Sequence, residues 1–493
     1  MRNQGLGSWP ARRARMSPAR VALTHQGVDI TYAGLAARAQ GFAHRLRRLG
    51  VRRGDRIAYL GVNHPHAVLT LFAAGLLGAV HLPLNARLTR DELMVIVGDA
   101  EPAVVVAGPG HESMAAGLGV PAVVVSGDET GEPIDELVGL DDLAVIMYTS
   151  GTTGRPKGTM LTHGNLTWNV CNHLIDIDLR GDDVVLVAAP LFHIAALAQS
   201  LLPILVKGGR AVLEPSFDPR RALATIAAER VTVMFGVPTM FALMARSSDF
   251  AGAELASLRI LECGGAPVPE PLIREYADRG VLFLQGYGMT EAAPGVLYLA
   301  AEDAAAKPGT AGVPVFFSDV RVVAPDGRDT ADDEPGEIMV AGPNVFGGYW
   351  GMPEETAAVL DNGWFRSGDI GVRDGDGFHR IVDRARDMII SGGENVYPAE
   401  VENALLGCPG VAECAVIGVP DEKWGEVGKA LIVRSGPDVT AGDVLRGLDG
   451  RLARFKVPRY VEFVAELPRT ASGKLLKARL RREYGGSSEG TPA

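Results

Sequence analysis

Short apolar runs that alternate with helical segments constrain the fold of this chain more than any other feature. LAVIM (143–147), VTVMFG (231–236) and VLFLQ (281–285) each have the length and composition of a buried strand. Helical stretches lie between such runs, for example DPRRALATIAAER, where Asp218 can cap a helix and Pro219 can occupy its first turn. Strands that alternate with helices predict a layered α/β architecture.

The apolar pattern also places two helices in the first hundred residues. Residues 31–50 have the period of an amphipathic surface helix that ends near residue 50. The window AVLTLFAAGLLGAV (67–80) is apolar, but it is shorter than the roughly 20 residues that a membrane-spanning helix needs. It therefore predicts a buried helix and no transmembrane segment. The apolar stripe of the surface helix contains Leu35, Phe42, Leu46 and Leu49.

From about residue 310, the sequence pattern changes to short strands separated by turns. The stretches APDGRD and RDGDGFHR contain Asp-Gly pairs, which favour tight hairpins, so a β-rich portion follows the α/β portion. Beyond VDRARD, the stretch PAEVENALL has a helical pattern and AECAVIGV has the pattern of a strand. We therefore predict a large N-terminal domain (1–383) of α/β layers with a β-rich subdomain, followed by a small, mobile α+β C-terminal domain (384–493).

Charge and composition exclude several classes of protein. The formal net charge is -11, from 48 basic and 59 acidic residues, which argues against nucleic acid as a partner. The basic start is not followed by an apolar core of about 7–15 residues, so no secretory signal is predicted and a cytoplasmic location is the expectation. The cysteines form no CxxC pair and are predicted to be reduced core residues; they are Cys171, Cys263, Cys408 and Cys414.

The stretch YTSGTTGRPKG (148–158) is the strongest candidate for a binding site. It follows a predicted buried strand and combines hydroxyl side chains and glycines with Lys157. Successive free amides form an anion-binding nest, and glycine lets the backbone approach a phosphate. A Walker A loop is excluded, because the spacing of the glycines and the lysine differs. The residues alone leave open whether this is a phosphate-binding loop or a polar turn without a ligand.

This loop resembles the phosphate loop of the adenylate-forming superfamily, which includes acyl-CoA synthetases, peptide-synthetase adenylation domains and luciferases. The resemblance implies a two-step reaction. A carboxylate attacks the α-phosphate of ATP to give an acyl-adenylate and pyrophosphate, and a thiol, usually that of coenzyme A, then displaces AMP. ATP, Mg²⁺, coenzyme A and a carboxylic acid are thereby implied. Six further stretches resemble the later motifs of the family in the same order, namely PLFHIAAL (190–197), GGAPVP (264–269), QGYGMTE (285–291), WFRSGDIG (364–371), DRARDMIISGGENVYPAEVE (383–402) and PRTASGK (468–474).

The same resemblance implies roles for individual residues. Lys474 would neutralise the charge that develops as a carboxylate approaches a phosphate. Glu291 would hold Mg²⁺, with Thr152 as a supporting oxygen, and His193 would lie beside the substrate carboxylate. The residues expected to bind ATP or AMP are Thr149, Ser150, Gly151, Thr152, Thr153, Gly154, Lys157, Gly264, Gly265, Ala266, Pro267, Gly286, Tyr287, Gly288, Met289, Thr290, Asp369 and Arg384.

The resemblance further implies that the C-terminal domain swings between an adenylating pose and a thiolating pose. Arg386 occupies the position of the pivot, where hinge residues absorb the backbone change. Gly392 and Gly393 would let the pantetheine arm of coenzyme A pass close to the backbone. One active site could thus serve both steps of the reaction.

These residues constrain the identity of the carboxylic acid substrate less than they constrain the reaction. PLFHIAAL offers no aspartate for a substrate ammonium, and Gly286 replaces the arginine of malonate-activating relatives, so a mostly apolar monocarboxylic acid is favoured. The chain most resembles bacterial fatty-acid–CoA ligases, which predicts a medium- or long-chain fatty acid. QGYGMTEAAP also resembles cinnamate-type aryl ligases, and a separate carrier protein is a further possible acceptor. Chain length, oligomeric state, pathway and regulation by acetylation stay open.

Overall fold

The structure is a computed structural model that divides into two compact units. Their extents differ from the predicted domains 1–383 and 384–493, and that division of the chain stays a prediction. Unit 1 comprises Met1–Val320 and Val340–Phe365, and unit 2 comprises Arg321–Met339 and Arg366–Ala493. The described residues are 2–492 apart from 127–128, 150–155, 267, 301, 305, 385–386, 392–393, 422–423, 437–438, 449–450, 453, 470–474 and 486–490.

Unit 1 contains the α/β layers that the alternating pattern predicts, which confirms the fold class. Helices and strands are numbered along the chain. The helices of unit 1 are α1 (Trp9–Met16), α2 (Tyr32–Arg48), α3 (Pro65–Leu77), α4 (Arg90–Ala100), α5 (Glu112–Ala116), α6 (His163–Asp176), α7 (Leu202–Lys207), α8 (Pro219–Glu229), α9 (Pro238–Ala245), α10 (Glu270–Ala277) and α11 (Pro353–Val359). Short 3-10 helices cover Leu6–Ser8 and Thr290–Ala292, and a π-helix covers Ala196–Leu201.

The larger sheet of unit 1 has the strand order β15-β14-β13-β12-β11-β9-β10-β1-β2. Its central strands are parallel, whereas β2, β14 and β15 pair antiparallel at the two edges. Parallel strands with helices on their faces bring the carboxyl ends of several strands to one edge. The strands are β1 (Val21–His25), β2 (Val28–Thr31), β9 (Val184–Val187), β10 (Arg210–Leu213), β11 (Val233–Gly236), β12 (Ile260–Cys263), β13 (Leu282–Gly288), β14 (Gly295–Tyr298) and β15 (Val313–Pro314).

The second sheet of unit 1 has the order β6-β5-β3-β4-β7-β8. It is parallel except for the last pair, in which β7 and β8 run antiparallel on either side of the predicted phosphate loop. The strands are β3 (Arg56–Leu60), β4 (Val80–Leu84), β5 (Val104–Ala107), β6 (Ala122–Val124), β7 (Leu143–Thr149) and β8 (Lys157–Thr162).

A third sheet covers residues 319–384 and confirms the predicted hairpins. Its order is β16-β17-β19-β18, with β20 paired to β19 across the Asp-Gly turn of RDGDGFHR. The strands are β16 (Asp319–Val323), β17 (Gly336–Ala341), β18 (Leu360–Asp361), β19 (Trp364–Arg373) and β20 (His379–Arg384).

The C-terminal part of unit 2 has its own sheet and its own core. The sheet order is β22-β21-β24-β25-β26, with β23 paired to β24, and the cores include Val401, Val416 and Leu431. The strands are β21 (Ile389–Ser391), β22 (Glu394–Val396), β23 (Val411–Asp421), β24 (Gly425–Arg434), β25 (Tyr460–Phe463) and β26 (Thr491–Pro492), and the helices are α12 (Pro398–Leu406), α13 (Ala441–Gly447) and α14 (Lys477–Tyr484), with a 3-10 helix at Arg454–Lys456.

Most local predictions for the first helices hold. The window around α3 is a buried helix, and the predicted N-cap of α8 is present, because Asp218 Oδ1 accepts from the backbone N of Arg221 at 2.8 Å. The stripe of α2 is buried at Leu35 and Leu46, but Leu49 is 54% exposed, so its assignment to the stripe was wrong. The helix ends one residue earlier, which turns Leu49 away from the core. Within the described residues, no helix combines the length and the hydropathy that crossing a bilayer requires.

Candidate active site

The two ends of the predicted phosphate loop are held by strand pairing. Thr149, the last residue of β7, lies directly opposite Lys157, the first residue of β8. Both predicted nucleotide-binding residues are therefore brought together at the base of the loop. The other predicted loop residues, namely Ser150, Gly151, Thr152, Thr153 and Gly154, lie outside the described residues.

Tyr349 connects the lysine of this loop to the predicted magnesium ligand. Its hydroxyl donates to Glu291 Oε1 at 2.8 Å, and Lys157 Nζ lies 4.9 Å from the centroid of its ring. Burial, followed by the nearby Glu291 carboxylate, raises the pKa of the Tyr349 hydroxyl, which therefore stays protonated and donates. The structure thus joins two predicted site residues through a third residue that the motif analysis missed.

Backbone hydrogen bonds explain why Tyr349 lies at this place. The N–H of Trp350 donates to the carbonyl of Gly158 in β8 at 2.7 Å, and the N–H of Phe346 donates to the carbonyl of Glu291 at 2.8 Å. The segment between them is thus fixed both to the phosphate-loop strand and to the Thr290–Ala292 turn. A sequence signal for Tyr349 exists, since an aromatic residue follows two glycines in VFGGYW, but its partners are distant in the chain.

The arrangement around Glu291 suits Mg²⁺. One carboxylate oxygen is oriented by Tyr349, and a single carboxylate combined with phosphate and water oxygens is a usual environment for this cation. Within the described residues, no group of three or more His, Cys, Asp or Glu side chains could hold a metal by itself. Glu291 would therefore need nucleotide phosphates and water to complete the coordination of the ion.

The predicted adenine-binding stretches follow neighbouring strands of the larger sheet. Gly265 comes after β12 with a φ of +84°, a conformation that favours glycine, and Tyr287 lies on β13 opposite Leu297. At Gly288, an added Cβ would lie 1.9 Å from the carbonyl oxygen of Pro294, so no side chain fits there. The two stretches are adjacent because β12 and β13 pair in parallel, while Pro267 lies outside the described residues.

His193 lies in a separate segment at the carboxyl end of β9. The side chain of Asn63 holds this segment, since its Oδ1 accepts from the N–H of Leu191 at 2.8 Å and its Nδ2 donates to the carbonyl of Ala189 at 2.9 Å. The π-helix follows directly, a rare conformation that is frequent at functional sites. The structure thus places His193 at the same edge of the sheet as the predicted adenine-binding stretches.

Two further predicted nucleotide-binding residues lie on neighbouring strands of unit 2. Asp369 on β19 lies directly opposite Arg384 on β20. The hydroxyl of Ser367 accepts from the N–H of Asp369 at 3.0 Å and donates to the carbonyl of Ile338 at 2.6 Å, which fixes the turn before Asp369. The remaining predicted residues of this unit lie outside the described residues; they are Lys474, Arg386, Gly392 and Gly393.

The strand pair at the predicted phosphate loop and the oriented carboxylate of Glu291 in unit 1, and the strand register of Asp369 with Arg384 in unit 2, fit an enzyme of the adenylate-forming class. The chain belongs to the AMP-binding enzyme family: the AMP-binding enzyme domain matches residues 10–350, and the AMP-binding enzyme C-terminal domain matches residues 400–474. It is an acid–thiol ligase that uses ATP, Mg²⁺ and coenzyme A.

Curated relatives match the chain over nearly its whole length. A feruloyl-CoA synthase of Amycolatopsis sp is 56% identical over 98% of this chain and 100% of its own length. A long-chain-fatty-acid–CoA ligase of Mycobacterium tuberculosis is 39% identical over 98% of this chain and 99% of its own. The solved o-succinylbenzoate CoA synthetase of Bacillus subtilis, in complex with the acyl-adenylate intermediate OSB-AMP, is 36% identical with a TM-score of 0.89 and covers 96% of this chain and 98% of its own.

Proposed function

We propose that this acyl-CoA ligase activates an aryl acid of the hydroxycinnamate type, such as ferulate. The observation that carries the proposal is the 56% identity to a feruloyl-CoA synthase over the full length of that relative, compared with 39% for a fatty-acid–CoA ligase. The expectation of a fatty-acid substrate thereby becomes the second candidate. The aryl acid was the alternative that the motif QGYGMTEAAP indicated.

In the first step, the acid attacks the α-phosphate of ATP and pyrophosphate leaves. Lys157 lies at the base of the phosphate loop, where its charge stabilises phosphate oxygens, and Tyr349 orients Glu291 for the metal ion. Mg²⁺, when bound, neutralises charge on the leaving pyrophosphate. Lys474 supplies a further cation as the carboxylate approaches, with Thr152 and the loop amides as donors to phosphate oxygens.

In this proposal, residues from several motifs hold the nucleoside. Asp369 accepts hydrogen bonds from the ribose hydroxyls, and Arg384 donates to the same sugar. Tyr287 offers its ring for adenine stacking, next to the backbone of residues 264–267. In this proposal His193 lies beside the substrate carboxylate and keeps it oriented towards the phosphate.

In the second step, coenzyme A displaces AMP to form the thioester. A rotation about Arg386 exchanges Lys474 for the stretch that contains Gly392 and Gly393, where the pantetheine arm passes. The two half-reactions therefore depend on different residues of unit 2.

The substrate is tested by measuring pyrophosphate release with ferulate, cinnamate, benzoate, octanoate and palmitate, each with and without coenzyme A. We expect ferulate to give the highest kcat/KM and to yield feruloyl-CoA when coenzyme A is present. A higher kcat/KM with octanoate or palmitate would contradict the aryl-acid proposal and favour the fatty-acid candidate.

The role of Lys474 is tested by separating the half-reactions of Lys474→Ala. We expect adenylate formation to fall by a factor of about 10³, whereas thioester formation from supplied acyl-adenylate falls by less than about tenfold. Lys307→Ala, at a lysine outside all the motifs, is the control. Equal losses in both half-reactions would contradict the assigned role.

A further inference from the structure

Four ionisable side chains of unit 1, two of them buried and two half-buried, form a group that the reaction described above does not use. They are His173 and Asp176 on α6, Glu262 on β12 and Tyr298 at the end of β14, here called the polar cluster. His173 Nε2 lies 3.6 Å from Glu262 Oε1, and these two side chains are 5% and 4% exposed. Glu262 and Asp176 both act electrostatically on Tyr298. The cluster is therefore one contiguous group inside unit 1.

Several polar atoms of the cluster have no partner. Within the described residues, the Tyr298 hydroxyl, His173 Nε2 and Asp176 Oδ2 are buried without a hydrogen-bond partner. Buried polar atoms of native proteins are almost always paired, with protein groups or with bound molecules. Three unpaired atoms in one cluster therefore point to a molecule that supplies hydrogen bonds there.

The protonation of the cluster indicates which chemical group it suits. Burial raises the pKa of Glu262 to about 8 and lowers the pKa of His173 to about 3, so that both are uncharged at neutral pH. Although the two side chains could form an ion pair, the cost of burying both charges keeps them neutral. A neutral carboxylic acid and a phenol together offer O–H donors and oxygen acceptors. A hydroxyl, which both donates and accepts, matches such a set.

Glycines connect the cluster to the predicted adenine-binding stretches. Glu262 and Gly264 are two residues apart along the β12 segment and therefore face the same side of the sheet. Gly286 lies opposite Tyr298, and a Cβ on Gly286 would lie 3.4 Å from the Tyr298 ring. A Cβ on Gly264 would in turn lie 3.2 Å from the carbonyl oxygen of Gly286. Gly264 and Gly286 thus add no side chain of their own to this sheet face, and the rings of Phe235 and Tyr298 border the strip that the two glycines form.

We propose that the polar cluster binds the distal hydroxyl of the acyl substrate, with Tyr298 and Glu262 as its hydrogen-bonding partners. The ring of the acid lies over the strip formed by Gly264 and Gly286, so that its carboxylate is directed towards the nucleotide. This inference rests on the proposed function, because it assigns a binding site to the end of the aryl acid that lies furthest from the carboxylate. Glu262 and Tyr298 are then the residues that select a hydroxylated ring.

The test compares two acids that differ by one hydroxyl, 4-hydroxycinnamate and cinnamate, in pyrophosphate release. We expect the wild-type protein to prefer the hydroxylated acid by about 100-fold in kcat/KM, since a site built to bind a hydroxyl rejects the analogue that lacks it. Tyr298→Phe and Glu262→Met should each reduce this preference to below about tenfold, while kcat/KM for cinnamate changes by less than about threefold.

Tyr276→Phe is the matched control. Tyr276 is fully buried, and its hydroxyl donates to the carbonyl of Phe241 at 2.9 Å, so it is already paired inside the core. Its loss should lower thermal stability and leave the preference between the two acids unchanged. Equal losses for both acids in Tyr298→Phe, as in a merely structural variant, would overturn the proposal.

Two outcomes with the wild-type protein separate this proposal from the proposed function. If both aryl acids react with equal kcat/KM, the hydroxyl-binding role of the cluster is wrong while the aryl-acid function stands. If neither aryl acid releases pyrophosphate and fatty acids do, both proposals are wrong.

Discussion

Glu262 in unit 1 is buried and Glu402 in unit 2 is largely buried, but the surroundings of the two acids are opposite. Glu402 Oε1 lies 2.8 Å from Lys477 Nζ and accepts from the N–H of Val416 at 2.7 Å. Glu262 faces a neutral imidazole at 3.6 Å and belongs to a cluster with unpaired atoms. Glu402, which links α14 to β23, thus has a lysine as its counterion, whereas within the described residues the partner of Glu262 on β12 is a histidine.

The paired acid also lies next to the segment that contains the predicted catalytic lysine. Lys477 is the first residue of α14 and lies three positions after Lys474, and on the other side of the segment 470–474 Arg469 Nη2 lies 2.7 Å from Glu413 Oε2. The N–H of Leu476 donates to the carbonyl of Pro468 at 2.9 Å. The described residues on both sides of the segment are therefore fixed within unit 2, which makes the pair of Lys477 and Glu402 structurally important.

The largest effect is expected for Lys477→Met, which leaves the Glu402 carboxylate buried without its cation. Because the two side chains are 13% and 15% exposed, we expect the free energy of unfolding to fall by about 3–5 kcal/mol. Urea denaturation measures this change.

Arg479→Met on the same helix is the control for that prediction. Arg479 pairs with Glu483 at the surface, where the side chains are 54% and 43% exposed, and we expect a change below about 0.5 kcal/mol. Comparable losses for both variants would show that burial does not distinguish the two ion pairs.

The second prediction concerns the pH dependence of Glu262→Gln. Because the pKa of Glu262 in the folded protein is raised from 4.5 to about 8, the folded state holds a proton that the unfolded state releases. The stability that this proton contributes is complete below pH 4.5 and is lost as the pH rises to about 8. Relative to the wild type, the variant should therefore gain up to about 1.4 kcal/mol for each pH unit in this window.

Thermal unfolding of both proteins between pH 5 and pH 8 checks the sign of this effect. A constant difference between the variant and the wild type across that range would mean that Glu262 is ionised in the folded protein. The contrast with the paired acid Glu402 would then disappear.

The third prediction tests an acid that is held by a hydrogen bond, Glu291. Tyr349→Phe removes the hydroxyl that donates to Glu291 Oε1 at 2.8 Å, so we expect kcat for pyrophosphate release to fall by about tenfold, or about 1.4 kcal/mol in the barrier. The required Mg²⁺ concentration should rise as well. An unchanged kcat and magnesium dependence would show that Tyr349 does not orient the carboxylate.

The smallest effects are expected for two tyrosine hydroxyls in unit 1. Tyr32→Phe removes a hydroxyl that donates to the carbonyl of Gly209 at 2.6 Å, and it should cost about 1 kcal/mol of stability. Tyr298→Phe removes an unpaired hydroxyl, so its stability should be unchanged or higher by up to about 1 kcal/mol. A similar loss in both variants would mean that the Tyr298 hydroxyl is paired in the folded protein.

Local signals in the sequence predicted much of the fold. The N-cap of Asp218 at the start of α8 is present, the apolar run 143–147 lies in β7, and the run 281–285 overlaps the start of β13. Such features depend on neighbouring residues, so they can be read from periodicity and spacing. Leu49 was misassigned because the period of a stripe does not show where the helix ends.

The candidate site was predicted only where a motif contains the residue. Lys157 and Glu291 belong to motifs, but Tyr349, which contacts both, lies in a stretch that the motif analysis did not use. The polar cluster was missed for a related reason. His173 and Glu262 each resemble an ordinary helix or strand residue until α6 packs against β12.

By itself, the sequence determined the order of strands and helices, the reaction class and most candidate residues, because these depend on local pattern and on motif chemistry. Tertiary structure alone decided that Tyr349 joins Lys157 to Glu291 and that Glu262 is buried beside a neutral histidine, while Glu402 pairs with a lysine. The physical reason is that the charge and the pairing of a buried group depend on partners that are distant in the chain, and no local pattern specifies those partners.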